Sequence, residues 1–201
     1  MISIADAVEL WQPPPDKTNA KVKANKHATA ASNGQWLSLY EWLDTADFSQ
    51  SWKIKSGNYI QHFIKEGLVQ GLSGISIIDL KSVSIKNGNN KEPDLCLEIM
   101  QNPTIHYREI KTNTNLDTEK RPATMEKITA ITNALRLIYP KHRVISGLFC
   151  PCWLESDGIV EGFNDFIGLV GYEPISITEH RQLGIDLGIK IRVVRDEAGQ
   201  K

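Results

Sequence analysis

Residues 93–111, PDLCLEIMQNPTIHYREIK, contain the clearest strand pattern in the sequence. Asn102-Pro103 in its middle indicates a turn, and residues 106–112 have the composition of a strand. In the first half, apolar residues occupy every second position, which is typical of a strand with one buried face: Leu95, Leu97 and Ile99. The stretch therefore predicts two antiparallel strands, over residues 94–100 and 106–112, joined by a short link.

The neighbouring segments extend this pair into a sheet with helices. Residues 75–85 alternate like a strand and end in NGNN, a turn signal. Residues 56–72 before them predict a helix, because apolar residues recur at steps of three and four: Ile60, Phe63, Ile64, Leu68 and Leu72. After the central stretch, Pro122 suits the first position of a helix. Apolar residues follow it at helical spacing: Met125, Ile128, Ile131, Leu135 and Ile138. Residues 143–149 then predict a buried returning strand.

The two ends of the chain add further elements. Residues 1–11 and 162–171 have helical character, residues 178–187 predict a short helix, and residues 189–194 predict a last strand. The order of elements predicts an α/β fold with a central mixed β-sheet, an antiparallel meander plus a returning strand, flanked by helices. We expect a single domain over residues 1–201, with a basic helical extension at about residues 1–50.

Composition limits the function classes. The chain has 201 residues, of which 41% are hydrophobic, with 23 Lys and Arg against 24 Asp and Glu. This length and this hydrophobic content are enough to bury a core. The net charge of −1 excludes a protein that binds nucleic acid non-specifically through many phosphate contacts. The chain lacks an apolar run of about 20 residues and a secretory pattern at its N-terminus, and its three cysteines fit a reducing compartment. We therefore expect a cytoplasmic protein without a membrane partner.

Three charged residues in the central stretch form the strongest chemical signal. Side chains alternate along a strand, so Glu109 and Lys111 share a face, and the short turn brings Asp94 beside Glu109. Two neighbouring carboxylates repel each other unless a cation compensates their charge. Mg²⁺ would do so through both carboxylates, the backbone carbonyl of Ile110 and waters, and Lys111 would orient or activate an attacking water. The alternative is an ordinary surface pair of Glu109 and Lys111, with Asp94 capping a turn.

The pattern Pro93-Asp94, fourteen residues, then Glu109-Ile110-Lys111 resembles the PD-(D/E)xK nuclease superfamily, and in particular its type II restriction endonucleases. The resemblance covers about residues 56–150 as a topology. It implies a restriction-endonuclease-like core and a Mg²⁺-dependent enzyme, with Mn²⁺ able to substitute. Such an enzyme cleaves both strands of double-stranded DNA at a short site, as part of restriction–modification defence, which implies a prokaryotic source. The resemblance also implies a homodimer, with a cognate DNA methyltransferase that acts on the same site without stable binding.

Further residues are candidates for the metal or for DNA. In this superfamily an additional acid often comes from the helix before the meander, where Glu66 is the candidate; an exposed pair with His62 is the alternative. Short polar groups directly after Lys111 suit contacts with bases or phosphates. Basic residues nearby, and in the acid-free stretch 17–40, suit phosphates. The alternatives are a polar surface loop after Lys111 and, for residues 17–40, a solvated segment at the dimer interface. The predicted DNA contacts are Thr112, Asn113, Thr114, Asn115, Lys120, Arg121, Lys21, Lys23 and Lys26.

Two other functions are compatible with the same residues. One is a structure-specific nuclease of the same fold, such as a DNA repair enzyme or a Holliday-junction resolvase. The other is a DNA-binding module that has lost its activity, although the complete set of Asp94, Glu109 and Lys111 argues against it. The chain lacks the motifs of hydrolase elbows, phosphate-binding loops and dinucleotide sites.

Overall fold

A computed structural model describes residues 3–15, 50–70, 72–80, 83–84, 90–111, 120–149 and 157–199. The chain forms two compact units, which we call the helical unit (residues 1–68 with 150–201) and the sheet unit (residues 69–149). The elements in chain order are α1 (Ile4–Leu10), α2 (Gln50–His62), the π-helical segment (Phe63–Val69), β1 (Ile75–Ile77), β2 (Val83–Ser84), β3 (Asn90–Lys91), β4 (Leu95–Ile99), β5 (Thr104–Ile110), α3 (Lys120–Ile138), β6 (Arg143–Phe149), α4 (Asp157–Leu169) and α5 (Ile177–Gly199). The prediction of a single nuclease domain stays a prediction.

The sheet unit contains a mixed four-stranded sheet in the order β1-β4-β5-β6. Strand β4 runs antiparallel to β1 and to β5, with Leu95 opposite Arg108. Strand β6 runs parallel to β5, with Glu109 opposite Leu148. The chain is therefore α/β with a mixed sheet, as the sequence predicts, and the meander and the returning strand are both present.

The predicted strand over residues 75–85 is wrong as one continuous element. Only Ile75–Ile77 joins the sheet, and the backbone amide of Leu80 then donates to the carbonyl of Ile78 (3.2 Å), a three-residue turn that redirects the chain. Val83–Ser84 pairs instead with Asn90–Lys91 in a separate two-stranded ribbon. The Asn-Gly pair of the NGNN sequence lies outside the described residues.

Strand β5 is the most buried strand of the sheet, because both of its faces are covered. Six of its seven residues are buried, and Ile105 and Tyr107 have no exposed surface. Helix α3 packs on the face that carries these two side chains. The resulting core consists of Val83, Cys96, Ile105, Tyr107, Ile128, Ile131 and Leu135. A polar side chain on this face of β5 therefore lies next to α3.

Helix α3 begins at Lys120, two residues before the predicted start at Pro122. The first-turn amides of a helix need no acceptor within it, so Pro122 is accommodated there. Its buried face is narrower than predicted, since Met125 and Ile138 are more than half exposed. The hydroxyl of Thr132 donates to the carbonyl of Ile128 (2.6 Å) and is hydrogen bonded to the hydroxyl of Ser146 in β6 (2.8 Å). This bond fastens the middle of α3 to the sheet.

The helical unit begins with α1, whose N-terminus is closed by a capping box between Ser3 and Asp6. The ammonium of Lys190 in α5 donates to the carbonyls of Glu9 (2.5 Å) and Trp11 (2.8 Å) at the other end of α1. The indole of Trp11 donates to Nδ1 of His62 (3.0 Å). These contacts connect α1 to α5 and to the end of α2.

The helix predicted over residues 56–72 is observed as α2 and its π-helical continuation, beginning at Gln50 and ending at Val69. The predicted helix over residues 162–171 is α4, which begins earlier, at Asp157. The basic stretch 17–40 of the predicted N-terminal extension lies outside the described residues. Among the described helices, none has both the length and the apolar character needed to cross a bilayer.

The predicted last strand over residues 189–194 is wrong, because α5 continues from Ile177 to Gly199. Isoleucine and valine in this stretch favour a strand locally. However, the buried positions of the segment recur at steps of four and continue the face of the preceding helix: Leu183, Leu187 and Ile191. Burial along one helical face outweighs the local preference.

The core packing of α3 is tested by truncating one buried residue. We expect Ile131→Ala to lower the free energy of unfolding by about 2–5 kcal/mol, because the side chain is fully buried and its removal leaves a cavity. Urea denaturation followed by circular dichroism measures the change. Leu137→Ala, on the same helix but 82% exposed, is the matched control and should change it by less than about 0.5 kcal/mol. Equal effects of the two substitutions would contradict the observed face of α3.

Candidate active site

Asp94 and Glu109 meet at one edge of the sheet. Because β4 and β5 are antiparallel, the start of β4 lies beside the end of β5. Asp94 directly precedes β4, and its Oδ2 accepts a hydrogen bond from the backbone amide of Ile110 (2.9 Å). Glu109 is the second-last residue of β5 and is 2% exposed. The sheet register therefore places the two carboxylates together, in the arrangement that the sequence predicts.

Lys111 contacts both carboxylates. Its ammonium donates to Oε1 of Glu109 (2.5 Å) and to the carbonyl of Ile110 (3.3 Å), and it lies 3.6 Å from Oδ2 of Asp94. The backbone amide of Lys111 donates to the carbonyl of Phe149 in β6 (3.0 Å). The side chain is 28% exposed, so it remains accessible to solvent. The structure thus brings together the three residues that the sequence singles out.

Lys127 and Tyr107 complete the cluster, and sequence reasoning missed both. The ammonium of Lys127 in α3 lies 2.6 Å from Oε2 of Glu109 and 3.1 Å from Oδ1 of Asp94. The hydroxyl of Tyr107 donates to the same Oε2 (2.9 Å). Signals for both residues exist in the sequence. Tyr107 has the same strand parity as Glu109, and Lys127 precedes the buried Ile131 by four residues, which places it on the sheet-facing side of α3.

The two acids respond in opposite ways to this environment. Burial raises the pKa of Glu109, but its hydrogen bonds and ion pairs with Lys111 and Lys127 outweigh burial and hold that pKa below its usual range. Burial, and then repulsion by Glu109, raise the pKa of Asp94 above its usual value despite the two lysines. Glu109 is therefore the more firmly ionised acid, and Asp94 is the one that gains a proton more readily.

The neighbouring groups respond to the same charges. Burial lowers the pKa of Lys127, but its bond to Glu109 and its attraction to Asp94 leave that pKa raised. Burial and the carboxylate of Glu109 raise the pKa of Tyr107, which remains a neutral hydrogen-bond donor. The cluster thus pairs two acidic side chains with two lysine side chains.

The cluster has the donor chemistry of a hard-cation site. The ammonium of Lys111 lies among one oxygen of Glu109, one oxygen of Asp94 and the carbonyl of Ile110, so these three oxygens already converge on one positive charge. Mg²⁺ prefers oxygen ligands and retains several waters, so a set of two carboxylates and one carbonyl suits it. Within the described residues, no group of three or more His, Cys, Asp and Glu side chains could hold a metal. A bound metal here would therefore depend on that carbonyl and on water as well as on the acid pair.

Three of the other predicted site residues lie within the described part of the chain: Glu66, Lys120 and Arg121. Glu66 is exposed and lies on the π-helical segment of the helical unit, so its part in the site stays a prediction. Lys120 and Arg121 are the first two residues of α3, and Arg121 is exposed. The predicted DNA contacts Thr112, Asn113, Thr114, Asn115, Lys21, Lys23 and Lys26 lie outside the described residues.

Comparison with known proteins identifies no relative. No protein-family model, no curated protein and no solved structure matches the chain. The function is therefore inferred from the chemistry of the site.

The lowered pKa of Glu109 predicts a pH-dependent stability. Because the folded pKa lies below the unfolded value of about 4.3, ionised Glu109 stabilises the fold above that value, and this stabilisation is lost as pH falls through the folded pKa. We expect Glu109→Gln to lower the free energy of unfolding at pH 7 by about 1–3 kcal/mol. Urea denaturation at pH 7, 5, 4 and 3 should show the difference from the natural protein shrinking below about pH 4.

Glu126→Gln is the control for this measurement, because Glu126 is an exposed carboxylate on α3. It should change stability little at every pH. A Glu109→Gln effect that is the same from pH 7 to pH 3 would show that the carboxylate charge does not cause it.

Proposed function

We propose that the protein is a Mg²⁺-dependent endonuclease that hydrolyses phosphodiester bonds of double-stranded DNA at a specific short sequence. One observation carries the proposal: carboxylate oxygens of Asp94 and Glu109 and the carbonyl of Ile110 converge on a single cation at the sheet edge, and that cation is the ammonium of Lys111. Paired carboxylates can hold a metal that polarises a phosphoryl oxygen and activates a water, and an adjacent lysine can offset the charge of the phosphate.

Each group has a part in this reaction. Asp94, Glu109 and the carbonyl of Ile110 would hold Mg²⁺, which when bound polarises a phosphoryl oxygen and makes a bound water more acidic. Lys111, released from the carboxylate oxygens, would orient the attacking water and offset charge on the phosphate. The water oxygen would bond to phosphorus as the opposite phosphorus–oxygen bond breaks. The attacking water would lose a proton to solvent, and the leaving ester oxygen would gain one from solvent and depart as a hydroxyl group. Tyr107 keeps Glu109 oriented through its hydrogen bond to Oε2.

Several features support a sequence-specific enzyme over a non-specific one. The net charge of −1 is unsuited to binding that relies on many phosphate contacts. Residues 112–115, TNTN, directly follow Lys111 and carry groups suited to base edges. By resemblance to type II restriction endonucleases, we propose a homodimer that reads a palindromic site. A separate methyltransferase would protect host DNA at that site.

Digestion of plasmid DNA with MgCl₂ or with EDTA tests the proposal. We expect discrete fragments that appear only with metal and share one sequence at their ends. Asp94→Asn, Glu109→Gln and Lys111→Ala should each lower the cleavage rate by about 100-fold or more, because each removes a group that acts in the reaction. Glu126→Gln and Lys141→Ala change exposed residues of the same types and should cleave at the natural rate.

The other outcomes separate the alternatives. A smear of fragments would indicate a non-specific nuclease. Cleavage of branched junctions but not of linear duplex would indicate a structure-specific repair enzyme or resolvase. Intact DNA under all conditions, together with retarded mobility of DNA in a gel, would indicate a binding module without activity. Full activity of Lys111→Ala and Asp94→Asn would remove this cluster from the reaction.

A further inference from the structure

Lys127 contacts both acids of the site although it lies outside the sequence motif. Its ammonium is 2.6 Å from Oε2 of Glu109 and 3.1 Å from Oδ1 of Asp94. The side chain is 18% exposed, against 28% for that of Lys111. Lys127 therefore forms a bridge between the two carboxylates and is the less accessible of the two lysines.

The two lysines divide the four carboxylate oxygens between them. Lys111 contacts Oε1 of Glu109 and is near Oδ2 of Asp94, whereas Lys127 contacts Oε2 and Oδ1. Each ammonium thus bridges the acid pair. The oxygens near Lys111 belong to the proposed metal-binding set. A metal bound to them would leave the Lys127 contacts in place, or it would compete with Lys127 for the same two carboxylates.

We propose that Lys127 is a resident counter-ion of the acid pair: it holds the two carboxylates together before a metal binds, and it weakens their affinity for a divalent cation. This inference rests on the proposed metal site. A positive charge in contact with both ligand carboxylates repels an incoming cation and neutralises part of the charge that attracts it. Lys127 thereby sets the metal concentration at which the site is filled.

Lys127 comes from α3, so its position is set by a helix and not by the strands that carry the acids. Helix α3 is held to the sheet by the buried residues Ile128, Ile131 and Leu135. The ammonium therefore remains close to the acids when Lys111 moves away. A site with one fixed and one exchangeable ammonium retains positive charge after the metal binds, which favours an anionic ligand such as a phosphate.

Metal binding without DNA tests this inference separately from catalysis. Titration with Mn²⁺, followed by the loss of the free-ion electron paramagnetic resonance signal, gives the dissociation constant. We expect Lys127→Gln, which keeps a hydrogen-bond donor but removes the charge, to bind Mn²⁺ about tenfold more tightly. Its melting temperature without metal should fall, because the buried Glu109 and the partly buried Asp94 lose a partner. Mn²⁺ should then raise that temperature more than it does in the natural protein.

Two further variants are the controls. Lys127→Arg keeps the positive charge, so its Mn²⁺ affinity should remain within about twofold of the natural value. Lys141→Gln makes the same change of charge at an exposed residue in the turn before β6 and should leave the affinity unchanged. Circular dichroism establishes that each variant is folded.

A measurement on the natural protein covers the case in which Lys127→Gln does not fold. The ammonium groups held by carboxylates exchange slowly enough to be followed by nitrogen NMR of ¹⁵N-labelled lysine. We expect the Lys127 ammonium signal to shift when diamagnetic Mg²⁺ is added. A Lys127 signal that stays unchanged while Mg²⁺ binds would overturn the inference.

The outcomes distinguish this inference from the proposed function. A folded Lys127→Gln protein with natural or weaker Mn²⁺ affinity overturns the counter-ion role, and DNA cleavage by the natural protein would still stand. Tighter Mn²⁺ binding by Lys127→Gln, with no cleavage by the natural protein, supports the counter-ion role and overturns the nuclease. A natural protein that binds no Mn²⁺ overturns both.

Discussion

The repulsion between Asp94 and Glu109 is the constraint on which the site depends. Two carboxylates that share one sheet edge disfavour ionisation, and burial adds to the cost. The fold offsets this with a backbone amide for Asp94, a tyrosine hydroxyl for Glu109 and two ammonium groups that each bridge the pair. Without those partners, one of the acids would be protonated or the edge of the sheet would open. The folded arrangement of the two acids therefore needs positive charge beside it, independently of any reaction.

The strand pair and its acids could be predicted from the sequence because the signals are local. Alternation of Leu95, Leu97 and Ile99 gives β4 its buried face, Asn102-Pro103 gives the turn, and strand parity then places Glu109 and Lys111 together. The boundaries of β6 agree with the sequence residue for residue, because Pro140 and Pro151 flank the apolar run and its length suits a strand. Metal binding, DNA binding and dimer formation do not follow from these signals.

Features that depend on tertiary contacts could not be predicted in the same way. The position of Lys127 over the acids depends on how α3 is rotated about its axis, and periodicity gives a face but not what that face meets. The end of β1 at Ile77 depends on a turn at Ile78–Leu80 that interrupts an otherwise alternating pattern. In residues 189–194, isoleucine and valine favour a strand locally, and only the buried face shared with Leu183 and Leu187 decides for a helix.

The hydrogen bond between Thr132 and Ser146 has a consequence for the site at a distance. Thr132 is five residues after Lys127, which is about 7.5 Å along a helix axis. A slip of α3 by a single turn, about 5.4 Å, would carry the Lys127 ammonium off the acids. The hydroxyl pair opposes that slip, because a hydrogen bond is lost once donor and acceptor separate beyond about 3.5 Å. Strand β6, which supplies Ser146, thus fixes the position of α3, and with it that of Lys127, along the sheet.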